Sequence, residues 1–219
     1  MMRHIQIAAA LVAALAVAPA WAHSEHEAPK EPQQKEPVAD IPAKRAAQPD
    51  ARAYFTDTEL VTQDGKKVRF YSDVLEGRVV LINVIYTNCQ DACPLITQKL
   101  NEVRAQLGDQ FGTQIYFVTI SSDPVRDTPK ALRDFAKKQN ANPPGWVYLT
   151  GPKKNVDIVL KKLGQFSQHV EEHSTLLIAG NVPEKRWSKI RPDAPSLSIS
   201  ERLKVLADSG ASVPSILGR

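Results

Sequence analysis

The 219-residue chain contains only two cysteines, Cys89 and Cys93. Two thiols four positions apart cannot staple distant segments together, so no disulfide framework holds this fold. Hydrophobic residues make up 42% of the sequence, which is ordinary for one globular domain with tails. Whatever chemistry the two cysteines perform is therefore local.

The chain also lacks a strong excess of charge of either sign. Twenty-eight lysines and arginines face 24 acidic residues, which leaves a net charge of +4, and the two signs are interspersed. A nucleic-acid-binding surface usually needs a concentrated basic patch or stripe. We therefore expect no nucleic-acid partner.

No apolar run in the sequence reaches the roughly 20 residues that a membrane-spanning helix needs. The longest one, residues 5–18, is rich in alanine and follows Arg3 and His4. Residues 20–22 then provide the small-x-small pattern that signal peptidase recognises. Residues 1–22 are predicted to be a cleaved secretory signal that leads to the periplasm, and an uncleaved inner-membrane anchor facing the periplasm is the alternative. Both place the remainder in an oxidising space.

Residues 23–53 contain no glycine and no aromatic side chain. Their five prolines are Pro29, Pro32, Pro37, Pro42 and Pro49. This composition predicts a disordered linker before a folded domain over residues 54–210 and a short tail over 211–219. His23 and His26 of the linker could chelate a stray divalent metal, but ordering a flexible pair costs entropy, which favours two solvated histidines.

Within the folded part, strand patterns alternate with helix patterns. Hairpins are predicted over 59–71 around Asp64-Gly65 and over 174–190 around Gly180-Asn181. Further strands are predicted over 79–86, 115–120, 146–149, 174–179 and 185–190, and helices over 94–107, 128–139, 152–163 and 198–207. The run 79–86 is apolar on both faces and is predicted at the sheet centre. The order indicates an α/β, thioredoxin-like fold, a mixed central β-sheet flanked by helices.

Both cysteines lie between the first buried strand and the first long helix, where open α/β sheets place their ligands. Free amides and the helix dipole at this helix start are expected to favour thiolate at both sulfurs. A structural zinc ion takes four ligands, whereas Cu(I) accepts two or three and prefers sulfur. A disulfide across so short a loop would contribute about 2 kcal/mol, so a purely structural bridge is the weaker interpretation.

A third ligand would have to come from His169 or His173, the two histidines of the folded part. His169 is predicted at the surface. His173 precedes a predicted strand, and in a thioredoxin-like topology its loop returns beside the cysteine loop. A lone histidine there is usually structural, but together with Cys89 and Cys93 it would complete a trigonal set that holds both Cu(I) and Cu(II).

Three segments together carry a family resemblance. They are Tyr86-Thr87-x-Cys89-x-x-x-Cys93-Pro94, Ser121-x-Asp123-Pro124-x-Arg126-Asp127-Thr128-Pro129 and His173-Ser174. The chain resembles the Sco/SenC family of copper-binding cytochrome c oxidase assembly proteins. The resemblance implies a thioredoxin-like fold, copper ligands at Cys89, Cys93 and His173, and delivery of copper to a respiratory copper enzyme, or maintenance of its thiols. The implied partners are an apo copper enzyme such as a cytochrome c oxidase subunit, and other periplasmic copper or thiol-redox proteins.

Two other functional classes share this fold. A thiol-disulfide oxidoreductase would use Cys89 and Cys93 as a redox-active pair and would have no need of His173. A peroxidase of the peroxiredoxin type ranks last, because Thr87 stands only two positions before Cys89 instead of three. The sequence therefore favours a copper chaperone and leaves a reductase activity open.

Overall fold

The computed structural model describes residues 51–208. The helices are α1 (Ala51–Phe55), α2 (Ala92–Leu107), α3 (Pro129–Lys138), α4 (Lys153–Leu163) and α5 (Ser196–Asp208). The strands are β1 (Glu59–Thr62), β2 (Lys67–Arg69), β3 (Val79–Ile85), β4 (Ile115–Ser121), β5 (Trp146–Thr150), β6 (Leu177–Asn181) and β7 (Arg186–Ile190). These elements confirm the predicted alternation of strands and helices.

All seven strands form one mixed sheet in the order β2-β1-β5-β4-β3-β6-β7. The three strands β3, β4 and β5 are parallel, whereas both ends of the sheet are antiparallel. Every residue of β3 is buried, as its apolar run predicts. The middle position nevertheless belongs to β4, because the two helical crossovers carry the chain in the same direction across the sheet. The prediction that β3 lies at the centre is wrong by one strand.

Two hydrophobic clusters cover the two faces of the sheet. One face packs against α2, α3 and α5, and this cluster includes Cys89 and Cys93. The other face packs against α1, α4 and a π-helical turn over Phe70–Leu75. The cysteines therefore lie at the edge of the first cluster, at the carboxyl end of β3.

Both predicted hairpins form, but one turn is displaced. The β1–β2 turn uses Gly65 in the left-handed region, as the Asp-Gly pair predicts. The β6–β7 turn was expected around Gly180-Asn181, and this is wrong because both residues belong to β6 and the turn follows them. Gly180 instead makes room for the ring of Trp187, since a Cβ at this position would lie 2.1 Å from Cε3 of that ring.

Three helix boundaries refine the sequence predictions. Thr128 caps α3, because its side chain accepts a hydrogen bond from the Ala131 amide at 3.2 Å. Helix α2 starts at Ala92, two residues before its predicted start. Its apolar residue Leu95 is 65% exposed, because Cys93 and Thr97 occupy the buried side of the first turns. Helix α1 begins at Ala51, so the last three residues of the predicted linker are helical and lead into the buried Phe55.

Within residues 51–208, no helix has the length and apolar character needed to cross a membrane. The predicted signal over 1–22, with His23, His26 and the linker up to residue 50, lies outside the described residues. The predicted tail over 211–219 also lies outside them.

Candidate functional site

The two cysteines meet at the start of α2. The chain leaves β3 at Ile85, and the turn that follows carries Cys89 back over the first residues of the helix. The amide of Cys93 donates a hydrogen bond to Sγ of Cys89 at 3.3 Å. Both residues are free thiols, 9% exposed at Cys89 and 1% exposed at Cys93. The structure therefore brings the two predicted sulfur ligands together and shields them from solvent.

The two thiols differ in acidity. Burial opposes ionisation of Cys89, but hydrogen bonds from the Cys93 thiol and amide outweigh it and lower the pKa of Cys89. Deeper burial, together with the hydrogen bond to Cys89, raises the pKa of Cys93 to about 12. The lowered pKa of Cys89 agrees in direction with the expectation that this helix start favours thiolate. The raised pKa of Cys93 is opposite to it, because desolvation outweighs the helix terminus there.

Asp127 anchors the cysteine loop to the end of β4. Its carboxylate accepts hydrogen bonds from the Thr87 amide at 3.2 Å and from the Thr87 hydroxyl at 2.5 Å. The hydroxyl of Ser121, the last residue of β4, donates to the same carboxylate at 2.6 Å. Asp127 is 1% exposed, and this burial raises the pKa of its carboxyl.

Sequence reasoning quoted Asp127 within a motif but assigned it no role. The negative charge of Asp127 contributes to the raised pKa of Cys93. The same loop holds a second carboxylate, Asp123, which is 6% exposed and pairs with Arg126. The sequence offered one signal for this contact. A threonine stands two residues before a cysteine, and an aspartate-rich segment follows the next strand.

Tyr86 connects the cysteine pair with His173. The rings of Tyr86 and His173 meet edge to face, with their centroids 5.8 Å apart. Burial and a hydrogen bond with the Cys89 sulfur raise the pKa of Tyr86 to about 12. The His173 loop therefore does return beside the cysteine loop, as the predicted topology requires.

His173 is 8% exposed, and its burial favours the neutral imidazole. Burial lowers the pKa of His173, although a hydrogen bond with the Ser174 carbonyl partly offsets this effect. Because a carbonyl can only accept, Nδ1 donates the 3.1 Å bond to Ser174, and this tautomer leaves Nε2 with a free lone pair. The ring is therefore in the form that binds a metal ion.

In the described part of the chain, no three histidine, cysteine or acidic side chains lie close enough together to hold a metal ion. Cys89 and Cys93 are in contact, and His173 reaches them only through Tyr86. The assignment of His173 as third ligand stays a prediction. His169 is exposed, as expected, and lines a small cavity of about 50 Å³ together with Phe166 and His173.

A family model described as SCO1/SenC matches residues 46–179, more than half of the chain. The chain belongs to the SCO1/SenC family. The match includes the cysteine motif, the Asp127 segment and His173, the three places on which the resemblance depended.

The relatives match this SCO1/SenC chain over part of their length. A SCO2-like protein of Rickettsia conorii is 34% identical over 114 residues, which are 52% of this chain and 53% of the relative. The chain thus matches about half the length of this relative.

Solved structures show the same fold. The ScoI protein of Bradyrhizobium japonicum with copper bound is 23% identical, with a TM-score of 0.57 over 68% of this chain and 96% of that chain. BsSco, described with a disulfide switch as a member of the Sco family of cytochrome c oxidase assembly proteins, is 24% identical, with a TM-score of 0.60 over 70% and 92%. These similarities confirm the predicted thioredoxin-like α/β fold.

Proposed function

We propose that this SCO1/SenC protein carries copper on Cys89, Cys93 and His173 and delivers it to a respiratory copper enzyme, or maintains that enzyme's thiols. The observation that carries the proposal is the pair of free, buried cysteines at the start of α2, where the Cys93 amide donates a hydrogen bond to Sγ of Cys89. Two thiols in such a site suit Cu(I), which is satisfied by two or three soft ligands. The copper reported in the solved ScoI structure supports the same cargo.

His173 fits as the nitrogen ligand of this site. Its Nε2 is free, its imidazole is neutral, and its loop packs against Tyr86 beside the sulfurs. Cu(II) favours nitrogen more than Cu(I) does, so the histidine would extend the site to the oxidised ion. Because the three side chains are not close enough to hold one ion in the described residues, closing the set requires His173 to move towards the sulfurs.

The proposed client is an apo copper enzyme of the respiratory chain, with a cytochrome c oxidase subunit as the first candidate. Membership in the SCO1/SenC family and the description of BsSco support this choice. We further propose that the protein works in the periplasm, because residues 1–22 have the pattern of a cleaved export signal. An exported copper carrier would meet its client on the same side of the membrane.

Metal analysis of the reduced protein tests this function. Reduced under anaerobic conditions, the protein should bind one copper ion per chain, and Cu(II) should give sulfur-to-copper charge-transfer absorption. The matched control is the double variant Cys89→Ala, Cys93→Ala, which keeps His173. Equal copper uptake by the protein and by this control would show that the sulfurs are not the site.

A thiol-disulfide oxidoreductase is the second candidate function. It is favoured by the lowered pKa of Cys89 beside a protonated partner thiol, since a thiolate is the attacking species in disulfide exchange. In this function the Cys89 thiolate would attack a substrate disulfide, and Cys93 would then resolve the mixed disulfide. The two candidates differ in their need for His173.

A further inference from the structure

A groove of about 460 Å³ lies on the face of the sheet opposite to the cysteines, between α1, α4 and the β6–β7 pair. Its walls are mainly apolar and include three aromatic rings. The apolar lining consists of Tyr54, Phe55, Leu163, Ile178 and Trp187. Tyr54 remains 52% exposed, and Phe55 packs against Trp187 with ring centroids 4.5 Å apart. The groove therefore offers an aromatic surface to an apolar group.

Three lysines surround this surface, and we call the whole feature the lysine-rimmed groove. Lys162 lies in the last turn of α4, Lys185 lies in the β6–β7 turn, and Lys189 lies on β7. Within residues 51–208, none of the three forms an ion pair with a carboxylate. The acidic neighbour Glu184 is engaged by Arg186 at 3.1 Å. The rim thus carries uncompensated positive charge.

The lysines and the aromatic walls together indicate the chemistry of a ligand that fits this groove. Exposed ammonium groups attract oxygens that carry negative charge, and the apolar walls favour an apolar group between them. The groove therefore suits an anionic ligand with an apolar part.

The spacing of the charges indicates a chain segment instead of a single anionic headgroup. Lys185 lies in the turn before β7 and Lys189 is the fourth of the five residues of that strand, so their charges are spread along the strand. Lys162 adds a third charge from the helix on the other side. Strand β7 is at the end of the sheet order, so the groove is open along an edge where an extended segment can lie.

We propose that the lysine-rimmed groove binds an acidic segment of a partner protein, which places an apolar side chain between Tyr54 and Trp187. Its carboxylates pair with Lys162, Lys185 and Lys189. Because the groove and the cysteines lie on opposite faces of the sheet, a partner held here does not cover the cysteine loop. The inference goes beyond copper carriage and does not depend on it.

Binding of a synthetic peptide to the full chain tests the proposal. The probe is a fluorescently labelled, end-blocked peptide Asp-Glu-Leu-Phe-Glu-Asp, and its counterpart has lysine at each acidic position. Anisotropy should show binding of the acidic peptide only, weakening as salt is added. With an unlabelled acidic peptide, Trp187 emission should change, and the variant Trp187→Phe identifies the signal, because Trp146 is buried in the other cluster.

Charge variants locate the binding. The double variant Lys185→Gln, Lys189→Gln should weaken peptide binding by about fivefold or more, as expected for two exposed ion pairs. The control Lys137→Gln, Lys138→Gln removes the same net charge from exposed positions on α3 and should bind like the unmodified protein. Thiol counting on each variant should still find two free cysteines.

Three results would overturn the proposal. The first is equal binding of the acidic and basic peptides, and the second is an equal loss in both double variants, which would mean that net charge alone attracts the peptide. The third is a change in Trp187 emission on adding dodecanoate, without any acidic-peptide binding, which would make the ligand a small amphiphile. None of these results concerns copper uptake by the cysteines, so the two proposals fail separately.

Discussion

At the residue scale, the two cysteines of the site differ in acidity although their side chains are identical. Cys89 and Cys93 share one hydrogen-bonded contact, yet only Cys89 has a lowered pKa. Cys93 lies deeper and beside the buried Asp127, so its proton is retained. The pair therefore combines a more acidic thiol at Cys89 with a less acidic thiol at Cys93, whether the partner is copper or a disulfide.

Selective alkylation checks this asymmetry. In the reduced, metal-free protein near neutral pH, iodoacetamide should modify Cys89 well before Cys93. The thiolate fraction of Cys89 should rise with pH through a pKa below the ordinary cysteine value, whereas Cys93 should stay protonated until about pH 12. Mass mapping of the labelled peptides measures both rates, and the unfolded protein, where the rates should converge, is the control. Faster labelling of Cys93 would contradict the assignment.

His173→Ala separates copper carriage from disulfide exchange. Because nitrogen suits Cu(II) better than Cu(I), the variant should lose about tenfold or more in Cu(II) affinity, which is about 1.4 kcal/mol. Cu(I) affinity should largely remain, and the disulfide between Cys89 and Cys93 should still form. Competition titrations with a chelator of each ion provide the measurement.

His169→Ala is the matched control, since His169 is exposed and lies four residues earlier on the same loop. Wild-type Cu(II) binding by His173→Ala would exclude the trigonal site and make a redox or structural role the better interpretation. The imidazole cannot act as a cation that lowers the thiol pKa near pH 7, because burial lowers the pKa of His173 itself.

At the scale of elements, the site is a junction between the ends of two parallel strands. The loop after β3 carries Thr87 and the cysteines, and the loop after β4 carries Asp127. The carboxylate joins them by hydrogen bonds that include the last residue of β4. Helix α3 follows directly and is capped by Thr128, so the junction is held on both sides.

Asp127→Ala should loosen this junction. The substitution leaves the buried donors of Thr87 and Ser121 without an acceptor, at a cost of about 2 kcal/mol in unfolding free energy. Loss of the nearby negative charge should also lower the pKa of Cys93, so its alkylation should speed up. Urea unfolding and thiol mapping measure the two effects. The control Asp134→Ala removes an exposed carboxylate of α3 that pairs with Lys130 and should change neither.

At the scale of the whole molecule, the two faces of the sheet carry different features. The face covered by α2, α3 and α5 supports the cysteines, while the face covered by α1 and α4 carries the lysine-rimmed groove. Helix α1 belongs to the second face through the buried Phe55. The described fold therefore includes Ala51–Phe55, although the composition assigns residues 51–53 to the linker.

Two deletions test this boundary. Removing residues 23–50, whose composition predicts no packed structure, should change the unfolding free energy by less than about 0.5 kcal/mol. Extending the deletion through Phe55 removes a buried aromatic side chain and should cost about 3 kcal/mol. Thermal and denaturant unfolding of both truncated proteins provides the comparison. An equally large loss from the shorter deletion would show that the preceding segment docks on the domain.

The sequence by itself determined the local features. The apolar run of β3, the Thr128-Pro129 start of α3 and the Asp-Gly turn of the first hairpin depend on neighbouring residues, so they could be predicted. The cysteine motif could be placed at a helix start for the same reason. Three short motifs also sufficed to identify the family.

Only the tertiary structure decided what depends on contacts between distant segments. The order of strands placed β4 in the middle, and burial in the first turn of α2 raised the pKa of Cys93. The fold also brought Asp127 into contact with Thr87 of the cysteine loop, which is 40 residues away in the chain. It placed the ring of His173 against that of Tyr86. Desolvation and hydrogen-bond partners are set by the three-dimensional neighbours of a residue, and no local pattern records them.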